Sequence, residues 1–130
     1  MLTEQDREYI RTIRDRITPE TWTQDTIARD KLGNEVSHDD PTAVCWCLDG
    51  HLYCVVPVDD RNRVGSWLNY ATPQSKEIVF EDGLIVDVEA DAMEPGDTFT
   101  EEFESYIDFN DHWTTGVEDV IQILDALLAA

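Results

Sequence analysis

The chain reads as an α+β protein, one small domain over residues 1–130 with three main helices and a small antiparallel β-hairpin or sheet. Three observations lead there. Apolar residues recur at helical spacing near both ends of the chain. Around residues 77–92 they alternate instead with acids, the period of a half-buried strand. A length of 130 residues with 42% apolar residues and four tryptophans suits one hydrophobic core.

The elements follow in order. Residues 3–17 predict a helix: Thr3 can cap it, and Ile10, Ile13 and Ile17 recur on one face. Arg7, Arg11 and Arg14 line another side, and Pro19 stops the helix. Residues 19–40 form a turn-rich connector, with one helical turn expected at 24–29 and a tight turn at "LGNE". A second helix is expected to begin at Asp40-Pro41 and to end before Pro57. "EIVFEDGLIVDVEADA" (77–92) sets Asp82-Gly83 between two β-rich runs, a two-residue hairpin pattern. Its second run can bury Val86, Val88, Ala90 and Ala92 while showing Asp87, Glu89 and Asp91. Pro95-Gly96 ends that strand. The last helix is announced by Thr115 and Glu118 as a capping box. Val117, Val120, Ile121, Leu124, Leu127 and Leu128 give it a wide apolar stripe.

Charge excludes some partners. The chain holds 29 acids and 9 bases, a net charge of −20. Residues 1–76 carry 13 acids and all 9 bases, whereas 77–130 carry 16 acids and no base. Direct binding to nucleic acid is not expected, because phosphates are held by Lys and Arg. An anionic membrane surface is excluded for the same reason. The N-terminus is charged where a secretion signal needs an apolar run. The expected setting is therefore a cytoplasm, with three reduced cysteines.

All three cysteines fall in "AVCWCLDGHLYC" (43–54). On a continuous helix Cys47, His51 and Cys54 would share a face, which invites zinc. The spacing matches no common zinc pattern, and a fourth ligand would have to come from His38 or His112. The plainer expectation is that Val44, Cys47, Leu48 and Val55 pack inward, with Cys as a small apolar residue. No metal or cofactor is expected. "DVEADAMEPGDT" fails as a calcium loop, since Ala92 stands where Gly is required and Thr98 where Glu is.

Three blocks carry a resemblance: "WTQDTIARDKLG" (22–33), "AVCWCLDGHL" (43–52) and "FNDHWTTGVEDVIQILDALL" (109–128). They resemble a family of small proteins from actinobacteria and their phages that is catalogued as a domain of unknown function. The matching positions are Trp22, Gln24, Asp30, Gly33, Cys47, Gly50, Asn110 and Asp111. The family pattern has Ala where this chain has His51, and residues 55–105 do not follow it. The resemblance implies a mostly helical scaffold and a phage setting, and no activity.

Three functions are weighed. The favoured one is a non-enzymatic binding protein whose acidic face imitates nucleic acid. It would block a basic nucleic-acid-binding protein of the host or its defences. Glu81, Asp82, Asp87, Glu89, Asp91, Glu94, Asp97, Glu101, Glu102, Glu104 and Asp108 would form that face. A strand shows one side chain per face about every 6.6 Å, against one charge per about 3.4 Å along a DNA strand. A single row is too sparse, so 97–108 would supply a second. The first alternative is a hydrolase or transferase using Cys47 with His51 or His112 and Asn110 or Asp111. The second is an acidic domain without mimicry, adapted to salt or merely well solvated. Association into a homodimer is left open.

Overall fold

A computed structural model describes residues 2–79 and 94–130. It is mixed α+β, in two compact units: 1–72 with 105–130, and 73–104.

The first unit opens with α1 (Glu4–Arg16). Thr3 Oγ1 accepts from the Asp6 N–H at 3.1 Å, satisfying one of the free donors of the first turn. Ile10, Ile13 and Ile17 are buried, as their spacing predicts. The connector then forms a hairpin of β1 (Ala28–Asp30) and β2 (Glu35–Val36). Its turn is the expected "LGNE". Gly33 takes φ +84°, and Asp30 Oδ1 accepts from the N–H groups of Leu32 and Asn34, each at 2.9 Å. The helical turn expected at 24–29 does not form. The Gln24 carbonyl, which a helix would offer to residue 28, accepts from Arg29 Nη2 at 3.1 Å, and Asp25 takes φ +69°.

The second helix also begins later than expected. Residues 43–46 form β3 (Ala43–Trp46), which pairs antiparallel with β1, so the sheet runs β2-β1-β3. Val and Trp suit a strand, and β1 offers a ladder that a lone helix could not use. Asp40 starts a turn instead, accepting from the Thr42 N–H at 2.8 Å and the Thr42 hydroxyl at 2.6 Å. Val44, expected inside, is 45% exposed. The helix α2 (Leu48–Val55) is short, and ends before Pro57 as expected. Cys47 and Leu48 are buried, but Val56 rather than Val55 takes the inner position. Next comes α3 (Val58–Ala71), which has no counterpart among the expected elements.

Two helices complete the first unit, α4 (Tyr106–Asp111) and α5 (Val117–Ala129). The N-cap of α5 is Gly116, one residue after the expected Thr115. Its N–H donates to Asp119 Oδ2 at 2.8 Å, so Asp119 does the work assigned to Glu118. Val120, Leu124 and Leu127 are buried as predicted, together with Ile123. Ile121 and Leu128 are half-buried at the edge of the stripe. The α5 helix packs against α1 and α3, and α2 packs against α1, α3 and α4.

In the second unit β4 (Ser75–Val79) pairs antiparallel with β5 (Thr98–Glu102). Gly96, at φ +97°, forms the turn before β5. The Asp82-Gly83 hairpin and the alternation over 86–92 lie outside the described residues. Among the described residues no helix is long and apolar enough to cross a membrane.

Leu124 is fully buried where α5 meets the rest of the core. Leu124→Ala is expected to lower the unfolding free energy by about 2–5 kcal/mol in denaturant titrations. A parent-like value would mean that α5 is not docked.

Candidate functional site

The eight positions that carry the resemblance converge on local structure. Asn110 is the centre. Its side chain is buried, and Oδ1 accepts from Trp22 Nε1 at 2.7 Å and from the Leu48 N–H at 3.0 Å. Its Nδ2 donates to the Thr23 carbonyl at 3.2 Å and to Asp111 Oδ1 at 2.8 Å. Asp111 in turn accepts from the Asp25 N–H at 2.9 Å. Gln24 Nε2 shares its two hydrogens among the carbonyls of Asn110, His112 and Thr115, at 2.9, 2.9 and 3.2 Å. Gly50 is required by space: a Cβ there would come within 2.2 Å of the Ile27 carbonyl oxygen. Asp30 and Gly33 make the hairpin turn described above. Asp111, the last residue of α4, thus ties that helix to the connector at Asp25, and Gln24 braces the same join.

Cys47 completes the set as the N-cap of α2, its Sγ accepting from the Gly50 N–H at 3.2 Å. Burial pushes the Cys47 thiol up to about 11, and the nearby Asp49 and Asp111 charges push the same way. A thiol so protonated is a poor nucleophile at neutral pH. His51 is fully buried. Nε2 donates to the Thr21 carbonyl at 2.8 Å, and Nδ1 accepts from Arg16 Nε at 3.3 Å. That pair of partners defines a neutral imidazole, and burial pushes it down to about 4. Arg16 also lies over the Trp46 ring, 4.9 Å from its centroid. Cys47, His51, Asn110 and Asp111 are thus each engaged in the fold. Among the described residues no cluster of three or more His, Cys, Asp or Glu is placed to hold a metal.

The proposed acidic face is only partly in view. Glu81, Asp82, Asp87, Glu89 and Asp91 lie outside the described residues. Glu94, Asp97, Glu102, Glu104 and Asp108 are exposed, and Glu101 is half-buried. Glu101 and Glu102 are neighbours on β5, so they point to opposite faces of the sheet. Glu101 stands across from Lys76, while Glu102 shares its face with Glu77 on β4. Asp108 belongs to the other unit.

The cations have a separate fate. All seven arginines donate inside the chain. Arg7 reaches the Leu128 carbonyl at 3.2 Å, Arg14 binds Asp125 at 2.8 Å, and Arg11 binds Glu8 at 2.6 Å. Arg61 donates to the Val56 and Tyr53 carbonyls at 2.9 and 3.1 Å, and Arg29 holds the connector. Arg63 grips the buried Asp6 with Nε and Nη2 at 3.0 and 2.8 Å, and Asp60 at 3.1 Å. The Arg63 hydrogen bonds hold the Asp6 carboxyl below the usual range. Tyr9 adds a bond to Asp60 at 2.9 Å, so α1 and α3 are joined through four side chains. Nothing in the sequence singles out Asp6, because its partner lies 57 residues away.

A family model described as Family of unknown function (DUF6197) matches residues 1–130. No curated protein and no solved structure matches the chain.

Two measurements check this account of the site. Alkylation at neutral pH, mapped by mass spectrometry, is expected to modify the exposed Cys54 first and the buried Cys47 only on unfolding. Early labelling of Cys47 would restore the nucleophile reading. For His51 the folded pKa lies below the unfolded value of about 6.5. The unfolded chain therefore takes up a proton between pH 6.5 and 4 that the folded chain refuses. Stability should fall as pH drops through that window, by a total on the order of 3 kcal/mol from this group. Denaturant unfolding at pH 7 and pH 4.5 should show a smaller loss for His51→Gln than for the parent. Equal losses would assign the titration to other groups.

Proposed function

The chain belongs to this family of unknown function, and from that premise we propose that it is a non-enzymatic acidic binding protein. Its anionic face engages a basic protein surface, of the kind that otherwise holds nucleic acid. In a phage setting the target is a nucleic-acid-binding protein of the host or its defences. One observation carries the reading. The seven arginines are all used as internal fasteners, while the acidic excess sits in the part of the sequence that has no arginine. Residues 73–104 alone hold eleven acids against the single Lys76. A field of that sign attracts a cationic partner and accelerates its encounter.

The Cys-dependent alternative has less support. A transferase or hydrolase needs a thiolate with a base in reach. Here the candidate thiol is buried, raised in pKa and bonded to a backbone N–H, and the nearest histidine in sequence is occupied at both ring nitrogens.

The test compares two triple neutralisations. Asp87→Asn, Glu89→Gln and Asp91→Asn remove three charges from the acidic segment. Asp15→Asn, Glu20→Gln and Glu35→Gln remove three exposed ones from the rest of the chain. Asp6 is unsuitable for the control, because it is buried against Arg63. Captured from a cell lysate at low salt, a partner is expected to dissociate in high salt and to be competed off by duplex DNA. The first triple should slow association and weaken binding, and the second should do neither. Equal effects would mean that only net charge matters, and mimicry would be discarded.

A further inference from the structure

A cavity of about 350 Å³ opens in the first unit between α3 and the turn leading into α4. That lies at the small end of the range for ligand sites, about 300–1,000 Å³. Arg61, Asn62, Ser66 and Asn69 line it from α3, with Ser105 and Ile107 opposite. Between them Gly65 meets Tyr106, where an added Cβ would lie 3.4 Å from the phenol oxygen.

Its charge is the reverse of the molecule's. The chain has 29 acids in 130 residues, yet none of the eight residues lining this cavity is acidic. The sole formal charge among them is the Arg61 guanidinium. The carboxylate bonded to a lining side chain, Asp49, accepts from the Tyr106 hydroxyl at 2.6 Å.

The hydrogen-bond inventory is also one-sided. The fold uses the carbonyl oxygen of Asn69, which accepts from the Tyr106 N–H at 2.9 Å, and leaves the amide hydrogens. It uses Nε and Nη2 of Arg61 and leaves Nη1. Ser105 Oγ accepts from the Asp108 N–H at 3.3 Å and keeps its own hydrogen to donate. Asn62 has both ends of its amide unused among the described residues. Ser66 has the opposite character, since its hydroxyl donates to the Asn62 carbonyl at 2.9 Å and retains only lone pairs. The cavity therefore presents one cationic N–H group, two amides and a hydroxyl as donors. Beside them stand the Ser66 hydroxyl oxygen and the Asn62 side-chain oxygen as acceptors, and an apolar rim at the half-exposed Ile107.

We infer that this cavity binds a small ligand bearing a carboxylate, of the size and kind of an N-acylated amino acid. The carboxylate takes the hydrogens of Arg61 Nη1 and the two asparagines. The ligand's amide N–H meets Ser66 Oγ, and its side chain lies against Ile107. The net charge of the protein opposes an anion at long range, but screening confines that repulsion to about 8 Å at physiological ionic strength. The inference is independent of the acidic face.

The experiment titrates the full ¹⁵N-labelled chain with N-acetylalanine and with N-acetylalaninamide at constant ionic strength. The acid should give saturable shifts at the amides of Gly65, Asn69 and Ser105 with Kd on the order of 1 mM, and the uncharged amide should bind at least about tenfold more weakly. Asn62→Asp sets a carboxylate against the ligand at an exposed helix position. It should weaken binding about tenfold or more while leaving the melting temperature unchanged. Absence of saturable shifts up to about 50 mM would overturn the inference, as would equal affinity for acid and amide. So would parent-like binding by a folded Asn62→Asp chain.

Discussion

One buried amide organises the first unit. Asn110 lies 88 residues from Trp22 and 62 from Leu48, and its side chain holds both. A buried amide left without partners costs on the order of 1–3 kcal/mol, so an incomplete network would oppose folding rather than help it. All its bonds can form together only when α4, the connector and the start of α2 are in register. Gln24 strengthens the same join from the other side by covering the carbonyls at the end of α4 and before α5. The hydrogen bonds of this cluster thus specify how distant segments meet, while the apolar stripes of α1 and α5 supply the burial that drives them together.

The arginines follow from the same constraint. A chain with this acidic excess repels itself, and each cation is worth most where it closes a join. Arg63 does so between α3 and α1, Arg7 and Arg14 between α1 and α5, and Arg16 between the end of α1 and the buried His51. These groups are positioned to hold the scaffold, and their partners are carbonyls, a ring nitrogen or carboxylates. Residues 77–130 contain no base and supply these joins only with acceptors, Asp125 and the Leu128 carbonyl among them. The proposed acidic surface is thus compatible with a stable scaffold, because the residues proposed for it and the bracing arginines lie on different segments.

How far the sequence revealed this depends on where each signal lies. The stripes of α1 and α5 are periodic over several turns, so both helices and most of their buried residues were legible. The turn at Gly33 was legible because its geometry is set within five residues. The region 40–57 misled, because Asp40-Pro41 resembles a helix start, whereas the pairing of Ala43–Trp46 with β1 is decided by a strand outside that window. The shift of the α5 cap from Thr115 to Gly116 is a one-residue ambiguity that local pattern cannot resolve. At the candidate sites the limit is sharper. Charge segregation is visible in composition, but which carboxylates share a face is not, and Glu101 and Glu102 separate on β5. The carboxylate-free cavity left no mark at all, since Arg61, Asn62 and Ser66 look like any polar helix surface until Ser105 is folded over them.

The residues of the motifs that carry the resemblance are ones that build the fold. Trp22, Gln24, Cys47, Gly50, Asn110 and Asp111 each have a stated mechanical duty, and their polar groups are engaged within the chain. A motif of this kind transmits architecture and carries no chemistry of its own. The buried histidine at position 51 likewise has a structural place. Its ring fills a buried gap between Thr21 and Arg16 and serves α1 as a further fastener. Function must then lie where the motif is silent. Residues 55–105 lie between the quoted motifs but inside the matched family region, and they contain nearly all of the proposed acidic face and the α3 wall of the cavity.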